Sequence, residues 1–282
     1  MIRIVTDSTA DLPADLREAH NITTVPLHVQ IEGESFRDGI DITVDEFYTR
    51  LVESATLPTT STPPVGAFIK TYEQLLEETD TILSVHLSRH LSGTVETARR
   101  AAQLVTEGKQ ARIVVVDTNF AQMIVGYIAI ATSIAAREGK PLEALLDIIE
   151  SIRSRAFIYI GFDTLKYLER GGRIGHARAL MGKLLQVKPI VQVEGEVKPL
   201  EQVRTFKRML NRMAELTREQ GQLEDLAVLY STNKAHAETL RDQIIGFDLM
   251  PAERMLIVQA GSVIGTHIGP NGIGLAGIRR AS

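Results

Sequence analysis

The fold is decided by residues 81–116, TILSVHLSRHLSGTVETARRAAQLVTEGKQARIVVV. This stretch contains two nearly continuous apolar runs, Thr81–Leu87 and Arg112–Val116, which are typical of strands covered on both faces. The segment between them, from Gly93 to about Glu107, has a helical pattern. A strand, a helix and a second strand in this order predict two parallel strands joined by a helical crossover.

The rest of the first half repeats this alternation. The predicted strands are Ile2–Val5 and Thr24–Ile31, and the further predicted helices are Val44–Ser54, Pro64 to about Glu78, and Phe120–Arg137. The helix at Val44 is introduced by a capping box, Thr43-x-x-Glu46, in which two side chains satisfy free backbone N–H groups. We therefore predict an N-terminal α/β domain over residues 1–155 with a mostly parallel sheet.

The second half has a different pattern. Its predicted strands are Phe157–Phe162, Pro189–Gln192, Leu226–Tyr230 and Met255–Gln259, and its predicted helices are Ala177–Leu185, Arg204–Glu219 and Lys234–Ile244. Gly195 within Val193–Val197 predicts a hairpin, and therefore a mixed sheet. A helix from Leu142 to about Arg153 is the expected linker to a C-terminal α/β domain over residues 156–282. The predicted fold class is α/β with two domains.

Composition excludes several classes of protein. The chain has 282 residues, a net charge of −4 and no cysteine. The charge disfavours nucleic-acid binding, and the lack of cysteine rules out disulfides, thiolate metal sites and cysteine nucleophiles. The N-terminal sequence has no signal-peptide pattern, and the longest apolar stretch, Met123–Ala136, is too short to span a membrane. We expect a cytoplasmic protein without stable membrane insertion.

Common cofactor and metal motifs are also missing from the sequence. It contains neither a P-loop nor a glycine-rich dinucleotide fingerprint, and no H-E-x-x-H or G-x-S-x-G. His86 and His90 are four residues apart, but we place them on a strand and the following turn, where this spacing does not bring two ligands together. We expect no metal site and no cofactor.

Two hydroxyl-rich clusters precede predicted helices. They are Thr59-Thr60-Ser61-Thr62 and the segment from Ser88 to Thr94. Free N–H groups at a helix N-terminus favour anions, and hydroxyls add hydrogen bonds without formal charge. Two such turns at the carboxyl edge of one parallel sheet predict an anion site. The alternative is that these hydroxyls only cap their helices.

Two glycine-rich segments carry further candidate residues. Arg170 and Arg173 flank a Gly-Gly pair, and His267 lies between Gly265 and Gly269. In a loop, a histidine with glycine neighbours can donate a hydrogen bond to an anion. The alternatives are that the histidine is structural and that the arginines only brace the two domains.

Six short motifs occur in order along nearly the whole chain. They are Asp7-Ser8-Thr9-Ala10-Asp11-Leu12-Pro13, Asp38-Gly39 with Asp41, Thr60-Ser61-Thr62-Pro63, Leu91-Ser92-Gly93-Thr94, Arg170-Gly171-Gly172-Arg173-Ile174 and Gly265-Thr266-His267-Ile268-Gly269-Pro270. Each motif is weak, but the ordered set resembles the DegV family of bacterial fatty-acid-binding proteins. Thr62 departs from the glutamine that this family often has at that position, and it leaves Thr60 unchanged.

This resemblance implies a function and a site. It implies two α/β domains and a long-chain fatty acid, such as hexadecanoate, whose tail lies in an apolar tunnel. Thr60 and Ser92 would hold the carboxylate, with Ser61, His267 and Arg170 in a wider head-group network. The resemblance also implies that the protein is a carrier, not an enzyme, and presents its fatty acid to a separate ATP-dependent fatty acid kinase.

Two other functions fit the same residues. The hydroxyl-rich turns would also suit an enzyme acting on a small phosphorylated or carboxylated metabolite, with His267 as general acid or base. A pure interaction module would need an exposed apolar patch and no deep cavity. A narrow apolar tunnel would favour the carrier, and a short polar cleft would favour the enzyme.

Overall fold

The computed structural model of the protein describes residues 1–180 and 187–281. The strands are β1 Arg3–Asp7, β2 Ile22–Val25, β3 His28–Ile31, β4 Glu34–Arg37, β5 Thr59–Ser61, β6 Thr81–His86, β7 Arg112–Asp117, β8 Ala156–Gly161, β9 Val187–Glu194, β10 Glu196–Arg204, β11 Leu223–Tyr230, β12 Met255–Gln259 and β13 Ile273–Arg279. The helices are α1 Ala14–Ala19, α2 Val44–Glu53, α3 Val65–Leu76, α4 Thr94–Thr106, α5 Met123–Arg137, α6 Leu142–Arg155, α7 Lys166–Arg170, α8 Phe206–Arg218, α9 Lys234–Ile245 and α10 Ser262–Ile268.

The contacts within the chain define two compact units. Unit 1 comprises Met1–His28 and Ser61–Ser154, and unit 2 comprises Val29–Thr60 and Arg155–Ser282. The predicted division at residue 155 coincides with one junction between them. It differs for Val29–Thr60, which the prediction placed in the N-terminal domain. This segment groups with unit 2 because it makes long-range contacts there, such as the hydrogen bond from Tyr48 to the Ala260 carbonyl.

Unit 1 contains the predicted parallel sheet. Its strand order is β2-β1-β6-β7, and every neighbouring pair is parallel. Side chains from α3 and α4 pack with strand residues in a buried apolar cluster that includes Val5, Phe68, Tyr72 and Ile82. The crossover predicted from residues 81–116 is therefore confirmed as β6-α4-β7.

One predicted strand of the first half was wrong. Thr24–Ile31 forms two strands, because β2 ends at Val25 and β3 begins at His28. Pro26 lies between them and has no N–H to donate to a strand ladder. The strand β3 then pairs in a separate sheet of order β4-β3-β5.

Unit 2 contains the predicted mixed sheet. Its strand order is β10-β9-β8-β13-β11-β12, in which only β11 and β12 pair in parallel. Strands β9 and β10 form the predicted hairpin at Gly195, which has a φ of +70°. Of the predicted helix Ala177–Leu185, residues up to Leu180 belong to a 3₁₀ helix, Gly175–Leu180, and the remainder lies outside the described residues.

The C-terminal glycine-rich segment was interpreted incorrectly. Gly265-Thr266-His267, expected in a loop, lies within α10, and the strand β13, which the prediction missed, contains Gly274 and Gly277. A Cβ at Gly277 would lie 2.4 Å from the Phe157 ring, so glycine here permits a close approach between strands. Close packing in the sheet therefore explains this glycine.

Candidate functional site

Thr60 and His267 form a polar pair within unit 2. The Thr60 Oγ1 atom lies 2.9 Å from Nε2 of His267. Thr60 is the middle residue of β5 and is half-buried, whereas its neighbours Thr59 and Ser61 are exposed. Alternation along a strand sends neighbouring side chains to opposite faces. Strand geometry therefore selects Thr60 from the three adjacent hydroxyl residues as the one that contacts the histidine.

The structure adds a short strand at this hydroxyl cluster. Thr60 and Ser61 lie in β5, whereas α3 begins at Val65 with Pro64 at its N-cap and no side-chain capping bond. The cluster therefore precedes α3, as predicted, but it does not cap this helix. The Thr60 hydroxyl instead contacts a histidine 207 positions away in the chain.

His267 is held against the backbone of the segment that follows α7. A Cβ added to Gly171 would lie 2.2 Å from Nδ1 of His267, so only glycine permits this approach. The Nδ1 atom is buried and has no hydrogen-bond partner among the described residues. Burial, followed by the positive charge of Arg173, lowers the pKa of His267 to about 4. The ring is therefore neutral at neutral pH.

The partners of the neutral ring determine its tautomer. A buried N–H without an acceptor is more costly than an unpaired nitrogen lone pair. The proton therefore belongs on Nε2, which donates to Thr60 Oγ1, while Nδ1 keeps its lone pair. This arrangement leaves the Thr60 hydroxyl hydrogen available to a further acceptor.

Contacts from Val29–Thr60 hold α10 in place. Oδ1 of Asp38 accepts hydrogen bonds from the Ser262 backbone N–H at 3.1 Å and from its hydroxyl at 2.5 Å. The Tyr48 hydroxyl donates to the carbonyl oxygen of Ala260 at 3.0 Å, just before α10. The aspartate of the Asp38-Gly39 motif therefore fastens the helix that carries His267.

Arg173 and Arg170 have different surroundings. Arg173 donates to the carbonyl of Gly171 at 2.6 Å and acts electrostatically on His267. Arg170 is exposed at the end of α7, and no hydrogen bond or ion pair joins it to another described residue. The structure therefore brings Arg173, and not Arg170, close to the Thr60–His267 pair.

Ser92 lies in unit 1, in the turn between β6 and α4. Its Oγ is 2.9 Å from the hydroxyl of Thr94, and it accepts a long hydrogen bond of 3.4 Å from the Thr94 N–H. The N-cap of α4 is Gly93. Ser92 is thus at a helix start and at the carboxyl end of a parallel strand, as predicted, and it is only half-buried.

Sequence reasoning missed a buried polar chain in unit 1. His86 Nδ1 is 2.9 Å from Asp7 Oδ2, His86 Nε2 is 2.7 Å from Ser84 Oγ, and that oxygen is 2.8 Å from the Tyr72 hydroxyl. All four residues are fully buried. This serine, histidine and aspartate arrangement is sealed from solvent, so it stabilises the sheet and offers no hydrolytic site. His90, in contrast, is exposed.

The described residues contain neither a candidate metal cluster nor a membrane-spanning helix. Within residues 1–180 and 187–281, histidine and carboxylate side chains form no group of three or more that could hold a metal ion. Across the same ranges, none of the helices combines the length and apolar character needed to cross a membrane.

The chain is similar to proteins that bind fatty acids. It matches the model of the DegV family over residues 1–280. A DegV family protein from Thermus thermophilus, whose solved structure concerns fatty acid binding, is 36% identical with a TM-score of 0.91, covering 99% of each chain. A stearic acid-binding protein from Eubacterium ventriosum is 28% identical with a TM-score of 0.90, covering 99% of this chain and 98% of the other. A DegV domain-containing protein of Streptomyces coelicolor is 38% identical over 283 residues, covering 97% of each chain.

Proposed function

Because this chain belongs to the DegV family, we propose that it binds a long-chain fatty acid and that Thr60 donates a hydrogen bond to the carboxylate. The solved relatives described as binding fatty acid or stearic acid support the ligand class. The observation that carries the proposal is the contact between Thr60 Oγ1 and His267 Nε2.

The tautomer of His267 gives Thr60 its role. Since Nε2–H donates to Thr60, the threonine hydroxyl has only its own hydrogen to offer a ligand. A carboxylate accepts hydrogen bonds and cannot donate them, so it matches this site, whereas an ammonium head group does not. The guanidinium of Arg173 adds a positive potential near the pair.

Ser92 is the second proposed carboxylate ligand. Its support is the family resemblance and its position at the start of α4, where helix N–H groups favour negative charge. A Ser92 substitution therefore needs a test of its own, separate from the test of a Thr60 substitution. Ser61 and Arg170 have weaker support as members of the head-group network, because both are exposed.

We assign most of the affinity to the tail. Each buried methylene contributes about 0.8 kcal/mol, so a sixteen-carbon chain gains on the order of 10 kcal/mol before the cost of association. An apolar tunnel is the matching surface for such a tail. Hydrogen bonds to the carboxylate then fix its orientation and offset its desolvation.

The proposed role is that of a cytoplasmic carrier, with no chemistry of its own. A separate ATP-dependent fatty acid kinase would phosphorylate the presented carboxylate. The support is the family resemblance together with the sequence, which has no P-loop and no dinucleotide fingerprint.

Native mass spectrometry of the purified protein, with lipid analysis of its organic extract, tests the proposal. We expect the mass of a bound long-chain fatty acid. An unliganded mass that persists after incubation with several fatty acids would refute fatty-acid binding and favour the small-metabolite enzyme.

A further inference from the structure

Gln122 has an unusual backbone conformation at the N-cap of α5. Its φ is +53° and its ψ is −148°, a backbone conformation that residues other than glycine rarely adopt. Its N–H donates to the Thr9 carbonyl at 2.9 Å, and its carbonyl accepts from the Val125 N–H at 2.8 Å. The turn after β1 and the first turn of α5 therefore hold the strained residue from both sides.

The side chain of Gln122 is buried but makes no hydrogen bond to another described residue. It is 1% exposed, and neither its amide nitrogen nor its amide oxygen has a hydrogen-bond partner among the described residues. It makes no capping bond to α5. A buried primary amide with both polar atoms unpaired is costly, and leucine would fill similar space without that cost. Strain and unpaired polar atoms at one residue are typical of a functional site.

Gln122 lies at the same edge of the unit 1 sheet as Ser92. The turns that carry the two residues follow β6 and β7, which are neighbouring parallel strands. Ser88 joins these turns, because its N–H donates to the Phe120 carbonyl at 2.8 Å and its carbonyl accepts from the Ser92 N–H at 3.1 Å. Both residues also precede helices whose N-termini favour negative charge, and α5 has 15 residues.

We propose that Gln122 is a further ligand for the carboxyl group that Ser92 is proposed to bind, an inference that rests on the proposed function. In this proposal the Nε2 group of Gln122 donates to a carboxylate oxygen. A hydrocarbon tail would leave both amide atoms unpaired, whereas a carboxylate satisfies the amide nitrogen.

The test compares stability with affinity in Gln122→Leu and Gln122→Glu. Urea denaturation gives the stability of the ligand-free protein, and displacement of a fluorescent fatty acid gives the affinities for palmitate and n-hexadecane. We expect Gln122→Leu to be at least as stable as the wild type, because an unpaired amide is removed, and to bind palmitate about tenfold more weakly with little change for n-hexadecane.

Gln122→Glu is a second variant, for use if a leucine side chain does not fit at position 122 and the leucine variant fails to fold. Glutamate keeps the size of the side chain and is favourable at a helix N-terminus, but it removes the donor and repels a carboxylate. We expect this variant to fold and to lose at least tenfold in palmitate affinity. Thr6→Val is the matched control, because the Thr6 hydroxyl is also buried without a partner among the described residues. It should leave palmitate affinity unchanged.

Each of the following outcomes would overturn the inference. One is unchanged palmitate affinity in the glutamate variant. Another is a loss of stability in the leucine variant with equal weakening for palmitate and n-hexadecane, which would indicate a structural role. If the wild type and Thr6→Val bind no palmitate, the proposed function fails together with this inference. If both bind it and the Gln122 variants do too, only this inference fails.

Discussion

Thr60 Oγ1 lies 2.9 Å from His267 Nε2, joining the short strand β5, at the end of the first segment of unit 2, to a helix near the C-terminus. The neutral histidine donates to the threonine, so the threonine hydroxyl is oriented toward a further acceptor. This hydrogen bond links the fold to the proposed function, because it leaves the Thr60 hydroxyl as a hydrogen-bond donor at a fixed position.

Thr60→Val should weaken palmitate binding by about ten- to a hundredfold, because a hydrogen bond to a charged group contributes about 1.5–3 kcal/mol. Binding of n-hexadecane should hardly change. Thr60→Ser keeps the hydroxyl and should stay near the wild-type value. Isothermal titration calorimetry measures these affinities. Thr59→Val is the control, since the Thr59 side chain is exposed and is 3.3 Å from Gln30 Oε1 instead. Equal losses for palmitate and n-hexadecane would contradict a carboxylate role.

Ser92→Ala should also weaken palmitate binding, by about tenfold, since it removes a hydroxyl next to the α4 N-terminus. The double variant Thr60→Ala with Ser92→Ala should show a sharp loss for the fatty acid and almost none for the hydrocarbon. The same titrations measure both. A single Ser92→Ala variant that binds palmitate like the wild type would remove Ser92 from the site.

Gly171→Ala should disturb the histidine directly. The new Cβ would lie 2.2 Å from Nδ1 of His267, so the ring must move away and its bond to Thr60 is lost. We expect a loss of about 1–3 kcal/mol in the free energy of unfolding and weaker palmitate binding.

Gly172→Ala is the control for this variant. Gly172 has a φ of +71° and open space at its Cβ position, so alanine adds backbone strain of about 1 kcal/mol without touching the ring. If both variants lower palmitate affinity equally, the close approach at Gly171 is not the cause.

Acidification should destabilise the protein through His267. Its pKa is lowered from 6.5 to about 4 in the folded state, mainly by burial and then by Arg173. Between pH 6.5 and 4 the unfolded chain binds more protons at this histidine than the folded protein does. The free energy of unfolding therefore falls as the pH falls from about 6.5 toward 4. The full effect is on the order of 3 kcal/mol.

To check this pH dependence, the free energy of unfolding of the wild type and of His267→Gln is measured by urea denaturation from pH 4.5 to 7.5. Glutamine does not titrate, so the variant should lose less stability at the acid end. His20 and His236 also have pKa values lowered by burial, but they are shared by both proteins and cancel in the difference. Identical pH profiles would show that His267 does not titrate in this way.

His86→Leu should destabilise unit 1 without changing the affinity for palmitate. The change removes the ring that pairs with Asp7 at 2.9 Å, and it leaves a fully buried carboxylate with fewer partners. Breaking a buried pair in this way costs about 3–5 kcal/mol. Thermal denaturation should show a lower melting temperature, while palmitate affinity of the folded fraction should be unchanged. A wild-type melting temperature would contradict a structural role for the pair.

Local sequence patterns predicted much of unit 1 and of the large sheet in unit 2. The crossover β6-α4-β7 follows from two apolar runs around a helical repeat. Half of the predicted capping box formed, because the Thr43 hydroxyl accepts from the Glu46 N–H at 3.2 Å, whereas the Glu46 carboxylate accepts from Arg50 at 2.9 Å. Sequence reasoning missed β13 and expected a loop where α10 forms, because the glycines in both elements serve close packing with side chains distant in the chain.

By itself, the sequence determined the parallel and mixed sheets and, through six ordered motifs, the resemblance to a family, because periodicity and motif order are local properties of the chain. Only the tertiary structure showed that Thr60 contacts His267, that Arg173 and not Arg170 lies near this pair, and that Gln122 is a buried N-cap residue. These features depend on which distant atoms meet and which are excluded from water. Thr60 meets a histidine 207 positions away, and burial of that histidine sets both its charge and its tautomer.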